Sequence, residues 1–258
     1  KIKIMKKFNF IFDKNKKAKI LKKLILKKYK SFSAKNANII IVAGGDGFML
    51  KTIKRFSHFK KPFYGINCGS VGFLLNKYIS KKIEHKINKA KTIIINPLQI
   101  TTISKTKKRN LFLAVNELSL LRQSKQTAFL KLKINKKILI KKLIGDGVMI
   151  STPAGSTAYN LSVNGPILSL NSKNLAITPI SPFRPRRWKG KIISDKTNVN
   201  ITNLDPAKRP VAAVADNNEI RNIVSVKASI NKNIKFKLLF NSEESLFKKI
   251  KLEQKKKN

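Results

Sequence analysis

Four residues, Gly44-Gly45-Asp46-Gly47, put glycine backbone beside a single carboxylate. Glycines let backbone amides approach an oxyanion closely, and a helix that follows adds the favourable end of its dipole. Strand, Gly-Gly-Asp-Gly, helix is therefore a sensible phosphate site. The aspartate is the odd element, because it repels phosphate. It makes sense if it holds Mg²⁺ or accepts the proton of an attacking hydroxyl. A helix N-cap is the plainer reading of the same residue. The loop is neither a P-loop nor a dinucleotide fingerprint. Acids are scarce, 12 against 57 Lys and Arg, so each one beside an apolar run calls for a reason. Asp46, Glu117, Asp146 and Asp216 sit in such places, and Asp216 in Ala215-Asp216-Asn217-Asn218 also reads as a turn aspartate.

The elements that would position these residues come in two styles. Phe8–Phe12, 38–43 and Phe63–Asn67 read as strands, with helices over 13–30, 48–56 and 78–89 between and after them. In the first helix Ile20, Leu21, Leu24, Ile25 and Leu26 are the apolar positions. Alternating strand and helix predict a Rossmann-like α/β domain with a mainly parallel sheet, residues 1–91. From about Thr92 the pattern turns to short Ile-, Val-, Leu- and Thr-rich runs with turn signals between them. Strands are expected over 92–103, 111–121, 128–134, 137–144, 147–152, 174–179, 191–194, 197–203, 211–215, 223–229 and 234–240. A helix starts in 156–161 and another occupies 246–252. Residues 92–258 thus form a β-rich second domain with a C-terminal helix.

Composition bounds the function. The 258 residues carry a formal charge of +45, with 42% apolar residues spread throughout, so this is no disordered basic tail. No apolar run is long enough for a membrane-spanning helix, and no cleaved secretory leader is expected. One cysteine, Cys68, excludes an internal disulfide, and with only His58 and His85 besides a structural zinc is not expected. The compartment expected is the cytoplasm. The basic residues are smeared along the chain, only 8 are Arg, and no helix-turn-helix or zinc-finger spacing is present. The charge is read as a drift toward residues with A/T-rich codons, Lys, Asn and Ile, that still attracts anionic ligands. The 11 glycines, in contrast, are concentrated: 44–47, 65–72 and 145–165 hold all but Gly190.

Three further segments accompany the Gly-Gly-Asp-Gly loop: 67–74 (NCGSVGFL), Asn116-Glu117 after an apolar run, and 145–160 (GDGVMISTPAGSTAYN). In this order they resemble the NAD kinase family, from about residue 38 to 217, and the 145–160 block carries most of the likeness. The resemblance implies the two-domain plan already read from the pattern, and phosphorylation of the adenosine 2′-hydroxyl of NAD by ATP with Mg²⁺ or another divalent cation. It implies Asp46 as the proton acceptor, Gly47 against the ligand and Phe73 beside NAD. Asn116 and Glu117 would grip ribose hydroxyls, and Asp146 would bind near the nicotinamide. Thr157, Ala158 and Tyr159 would shape the adenine side, with Ala154, Asn160, Leu161, Ser162 and Asn217 among the NAD-binding residues. ATP would sit over Gly44, Gly45, Asp46 and Gly47; no protein ligand is assigned to the metal. The chain departs from the family in carrying Ile144 where some members have a basic residue, and Ala154 where Thr is common.

Two rivals stand beside this reading. A diacylglycerol-type lipid kinase shares the Gly-Gly-Asp-Gly loop and a similar plan but not the Asn116-Glu117 and 152–160 segments. A basic nucleic-acid-binding protein explains the charge but not the clustered glycines and acids, so no specific nucleic acid is expected. Three of the arginines fall in 181–188 (SPFRPRRW), beside the only tryptophan. Arg with Trp is a composition favoured at interfaces, and the family is homo-oligomeric with subunits completing one another's NAD site. A dimer or tetramer is expected.

Overall fold

The computed structural model describes residues 6–78, 83–241 and 249–250. The chain forms two units: Lys1–Ile95 with Lys235–Asn258, and Asn96–Ile234.

In the first unit, β1 (Phe8–Phe12), α1 (Lys16–Leu26), β2 (Ile39–Gly44), α2 (Asp46–Phe56), β3 (Phe63–Asn67), α3 (Ile83–Lys89) and β4 (Lys91–Ile95) follow in order. The sheet order is β1, β2, β3, the C-terminal strand Phe236–Phe240, then β4. Only the last pairing is antiparallel. All of β2 is buried, as a parallel strand covered on both faces should be. Ile39, Ile41 and Ala43 pack with Ala18, Leu21 and Ile25 of α1. That spacing makes one helical stripe, so Ile20, Leu24 and Leu26 lie off it and stay exposed. Asn15 caps α1, its side chain accepting from Ala18 N at 2.8 Å, which is why this helix starts later than residue 13. The expected 78–89 helix is seen from Ile83, and 79–82 lie outside the described residues. Of the expected 246–252 helix only Lys249 and Ile250 are described, and both are helical.

The second unit contains β5 (Leu98–Ser104), β6 (Arg109–Ala114), β7 (Glu117–Arg122), β8 (Ala128–Ile134), β9 (Lys137–Gly145), β10 (Gly147–Ser151), α4 (Tyr159–Ser162), β11 (Asn174–Ile180), β12 (Lys191–Ser194), β13 (Val199–Asn203), β14 (Val211–Ala215), β15 (Asn218–Ile220) and β16 (Ile223–Ile230). Two antiparallel sheets form, ordered β12-β11-β10-β7-β14-β15 and β6-β5-β16-β13-β8-β9. One apolar cluster draws on both, including Leu118, Leu120, Val148 and Ile177 from the first and Leu98, Ile100, Leu130 and Ile201 from the second. This is a β-sandwich.

Three boundaries differ from those expected, each for a local reason. The 92–103 strand is two strands, because Pro97 lacks an amide donor and Asn96-Pro97 is where the chain passes from one unit to the other. The 111–121 strand breaks at Val115 and Asn116, whose amides donate to the Asp216 carboxylate. The helix expected over 156–161 is a 3₁₀ turn, Gly155–Thr157, and a single α-turn, separated by Ala158 at φ −93°, ψ −132°. The division at 91 also moves. The unit boundary falls after Ile95, and the segment from Lys235 belongs with the first unit, since Phe236–Phe240 hydrogen-bonds β3 and β4.

Candidate active site

Asp46 is the first residue of α2, and Gly45, not Asp46, is the cap. The Asp46 carboxylate does not serve its own helix: Oδ2 accepts from Phe73 N at 2.9 Å and Oδ1 from Leu74 N at 2.8 Å. It is therefore no ordinary N-cap. Burial pushes its pKa up, while those two backbone bonds and the charge of Lys249 pull it down; burial is the larger influence. A Cβ added at Gly45 or Gly47 would meet nothing within 4 Å, so open space lies above the start of the helix. Gly44 differs, since a Cβ there would strike Phe48.

The loop facing Asp46 depends on Gly72. It sits at φ +72°, and a Cβ on it would come within 2.4 Å of Asn67 Cγ. Asn67 holds the same loop, donating to Val71 O and accepting from Gly69 N, both at 2.8 Å. The buried amide of Asn76 anchors the loop's far end, donating to Gly65 O and Leu239 O and accepting from Asn241 N. Phe73 is half-buried.

In the second unit Asn116 and Glu117 lie at the start of β7. Their backbone is held on every side. The Asp216 carboxylate accepts from Val115 N and Asn116 N at 2.9 Å each. Thr152 N donates to Asn116 O at 2.8 Å, and Thr152 Oγ1 donates to Val115 O at 2.7 Å. Gly155 packs so closely that a Cβ would stand 2.3 Å from Asn116 O. The side chains are not so held: Asn116 Oδ1 and Glu117 Oε2 are covered and accept no hydrogen bond. Burial, with Asp216 as a like charge, pushes Glu117 from its ordinary 4.5 up to about 8. Two adjacent covered acceptors without donors are costly unless something supplies the donors.

The other expected residues divide. Ala154 and Thr157 are buried and Ala158 and Leu161 half-buried, while Tyr159, Ser162 and Asn217 are exposed. Asn160 is buried, with Oδ1 accepting from Thr178 Oγ1 at 2.7 Å and Nδ2 donating to Ser156 O and Pro166 O. Its amide is engaged inside the protein, so its part is to shape the 156–166 turn. Asp146 pairs with Arg122 at the opposite end of β7 and β10 from Glu117, because Gly147 faces Leu121 while Ser151 faces Glu117. Five residue steps along β7 from Glu117 to Arg122 put the two acids roughly 17 Å apart along the strands. Ser162 lines a cavity of about 630 Å³ with Pro179, Arg187, Trp188 and Lys189. Trp188 is half-buried against the sandwich core. Phe183 is the exposed aromatic of that loop, with the Arg184 and Arg186 guanidinium groups 5.4 and 5.9 Å from its ring centre.

Two contributions escaped the sequence reading. Asp216, singled out there as a scarce acid and read as a turn aspartate, does adopt φ +51°, but the clamp of its carboxylate on the 115–116 backbone, about a hundred residues away, was not foreseen. Lys249 was one lysine among many, and nothing in its neighbours in sequence set it apart. Among the described residues no three His, Cys, Asp or Glu side chains come together as a metal site.

A mainly parallel sheet whose second strand ends in Gly-Gly-Asp-Gly at a helix start shares the chain with a β-sandwich carrying an Asn-Glu pair at a strand start, the class of two-domain protein that the resemblance implied. The comparisons narrow this class. The ATP-NAD kinase N-terminal domain matches residues 3–94 and the ATP-NAD kinase C-terminal domain matches 115–232. The chain is 41% identical over 241 residues to the NAD kinase of Zymomonas mobilis, covering 93% of this chain and 92% of that one. It is 43% identical over 230 residues to the NAD kinase of Xylella fastidiosa, covering 89% and 88%. In fold it matches an Archaeoglobus fulgidus NAD kinase solved with ATP (TM-score 0.74, 19% identity, 95% of this chain and 98% of that one). It likewise matches yeast NADH kinase solved with NADH (TM-score 0.73, 22% identity, 86% and 67%). The chain belongs to the NAD kinase family.

Proposed function

We infer that the protein is an ATP-dependent NAD kinase, transferring the γ-phosphoryl group of ATP to the 2′-hydroxyl of the adenosine ribose of NAD. The observation that carries this reading is the pair of covered, donorless acceptors, Asn116 Oδ1 and Glu117 Oε2. Each calls for a donor from a ligand, and a ribose brings two hydroxyls. Diacylglycerol, with one free hydroxyl, cannot satisfy both, so the lipid-kinase alternative is set aside.

Phosphoryl transfer asks for positioning, charge neutralisation and a destination for the nucleophile's proton. As the 2′-oxygen bonds to the γ-phosphorus, its proton passes to Asp46, the bond to the β-phosphate oxygen breaks, and ADP leaves. Asp46 is suited to this because burial strengthens it as a base while two amides fix its orientation. ATP enters as its complex with Mg²⁺ or another divalent cation, over the open Gly44–Gly47 loop. Gly47 and Phe73 lie against NAD, Ala154, Thr157, Ala158 and Tyr159 shape the adenine side, and Leu161, Ser162 and Asn217 border the site. Asp146, at the far end of the strands from Glu117, serves the nicotinamide end of NAD, and the active form is a dimer or tetramer. Among the described residues no helix is long and apolar enough to cross a membrane. The place of the reaction is the cytoplasm, where NAD and ATP are both supplied and a lone cysteine stays reduced.

The test is incubation of the pure protein with Mg²⁺-ATP and NAD, scoring NADP, with diacylglycerol in parallel. NADP without lipid phosphate is the expected result, and lipid phosphorylation without NADP overturns the reading. Light scattering at micromolar concentration checks assembly, and a fully active monomer overturns that part.

A further inference from the structure

Lys249 is 5% exposed, the one buried lysine among the described residues. A buried ammonium is expensive unless its charge and donors are met. Here Nζ donates to Gly72 O at 2.8 Å, to Leu75 O at 2.5 Å and to Phe73 O at 3.4 Å, and it lies 4.6 Å from the centre of the Phe240 ring. A lysine whose only task was to fasten the tail could use any carbonyls. These particular ones are singled out by what stands on their other side.

The carbonyl of Gly72 and the amide of Phe73 are the two ends of one planar peptide group, and they point in opposite directions. So are the carbonyl of Phe73 and the amide of Leu74. Asp46 accepts from the amide ends of both groups, at 2.9 and 2.8 Å, and Lys249 donates to the carbonyl ends of the same two. Two peptide groups are thereby held between an ammonium and a carboxylate. Each hydrogen bond polarises the next along such a chain, strengthening it by roughly 10–30%. The alternative orientation, with carbonyls turned toward Asp46, would set oxygen against oxygen and take two of its three carbonyl acceptors from Lys249. Gly72 at φ +72° is what lets the chain turn tightly enough for this arrangement.

We propose that Lys249 is a positioning residue for phosphoryl transfer, fixing and polarising the 72–74 peptide groups that orient the Asp46 carboxylate. The inference rests on the reading of Asp46 as proton acceptor. Lys249 touches no substrate in this account; it acts through Asp46. Its charge also acts on the carboxylate, favouring the ionised form that can take a proton.

The experiment is a double-mutant cycle. Lys249→Met keeps the aliphatic stem and removes the ammonium. It is expected to lower kcat about 10- to 100-fold, the scale on which a misplaced catalytic group acts. In an Asp46→Asn background the same change is expected to alter residual turnover by no more than about twofold, because the group it positions is gone. Lys249→Arg, which keeps charge and donors, should recover most of the loss. A second readout does not use turnover: ¹³C NMR titration of the Asp46 carboxyl, assigned by its absence in Asp46→Asn, should move to higher pH in Lys249→Met. Should the Met variant not fold, Lys249→Gln, which keeps a donor without charge, takes its place in both measurements. Equal losses in both backgrounds, or a titration that does not move, overturns the proposal. Near-normal turnover of Asp46→Asn alone overturns the Asp46 reading instead, and the NMR titration then still decides whether Lys249 governs that carboxyl.

Discussion

Each unit carries a half-buried carboxylate, and the two are built in opposite ways. Asp46 has an amide on each oxygen and a lysine behind those amides. Glu117 has an oxygen with no donor and an acid, Asp216, as its charged neighbour. One acid is completed by the protein; the other keeps an oxygen with no donor among the described residues. This is the division expected of a group that must hold its geometry through a reaction and one that must gain something on binding. Environments that treat two acids so differently assign them different work.

The sharpest way to break the comparison is Asp46→Asn, which keeps size and removes charge and basicity. kcat should fall by roughly two to four orders of magnitude with NAD affinity little changed. Steady-state kinetics with circular dichroism check it, and near-normal turnover would return Asp46 to a purely structural role. Glu117→Gln should do the reverse. Above pH 8, exchanging a charge-assisted hydrogen bond for a neutral one loses about 1 kcal/mol, or roughly fivefold in NAD affinity, with kcat less affected.

The comparison sharpens with pH. Glu117 titrates near 8 in the fold, and its ionised form is the stronger acceptor for a hydroxyl. NAD affinity should therefore rise as pH increases from 6.5 to 8.5 in the parent and stay flat in Glu117→Gln, as calorimetry at the two pH values would show. A flat parent profile would mean that Glu117 binds in one protonation state throughout. Stability of the free protein should run the other way. A carboxyl whose folded pKa is raised contributes its full stability below the unfolded value near 4.5 and loses it as pH climbs toward 8. Thermal melts from pH 5 to 9 should therefore slope downward in the parent and less steeply in Glu117→Gln.

The smallest effect belongs to Asp216→Asn. One of the two amides it clamps would face an NH₂ group, a loss of about 1 kcal/mol. That corresponds to a drop in Tm of about 2–4 °C for a chain of this size. The variant also removes the like charge beside Glu117, so the pH at which NAD affinity rises should move downward. A Tm loss with an unmoved affinity profile would confine Asp216 to holding backbone.

Much of this could be read along the chain. The Gly44–Gly47 loop, the parallel strands before and after it, and the strand-to-turn block at 145–155 are local patterns, set by residue type over a few positions. Asn116-Glu117 could be singled out because acids are rare in this chain. The break at Val115-Asn116 could not, because what interrupts the strand is a carboxylate a hundred residues on. Neither could the separation of Asp146 from Glu117, which depends on the register of β7 against β10. Phe236–Phe240 read as a strand, but not as one inserted between β3 and β4.

By itself the sequence determined the order of strands and helices, the glycine loop and the acids that could do chemistry, because periodicity, glycine and scarcity are visible without neighbours. Only the tertiary structure decided which acid has donors and which lacks them, and which of the lysines is buried. Hydrogen-bond satisfaction and desolvation belong to groups brought together across the chain. Lys249 shows the reason most plainly: it meets two peptide groups whose other ends meet Asp46, 203 residues earlier in the chain.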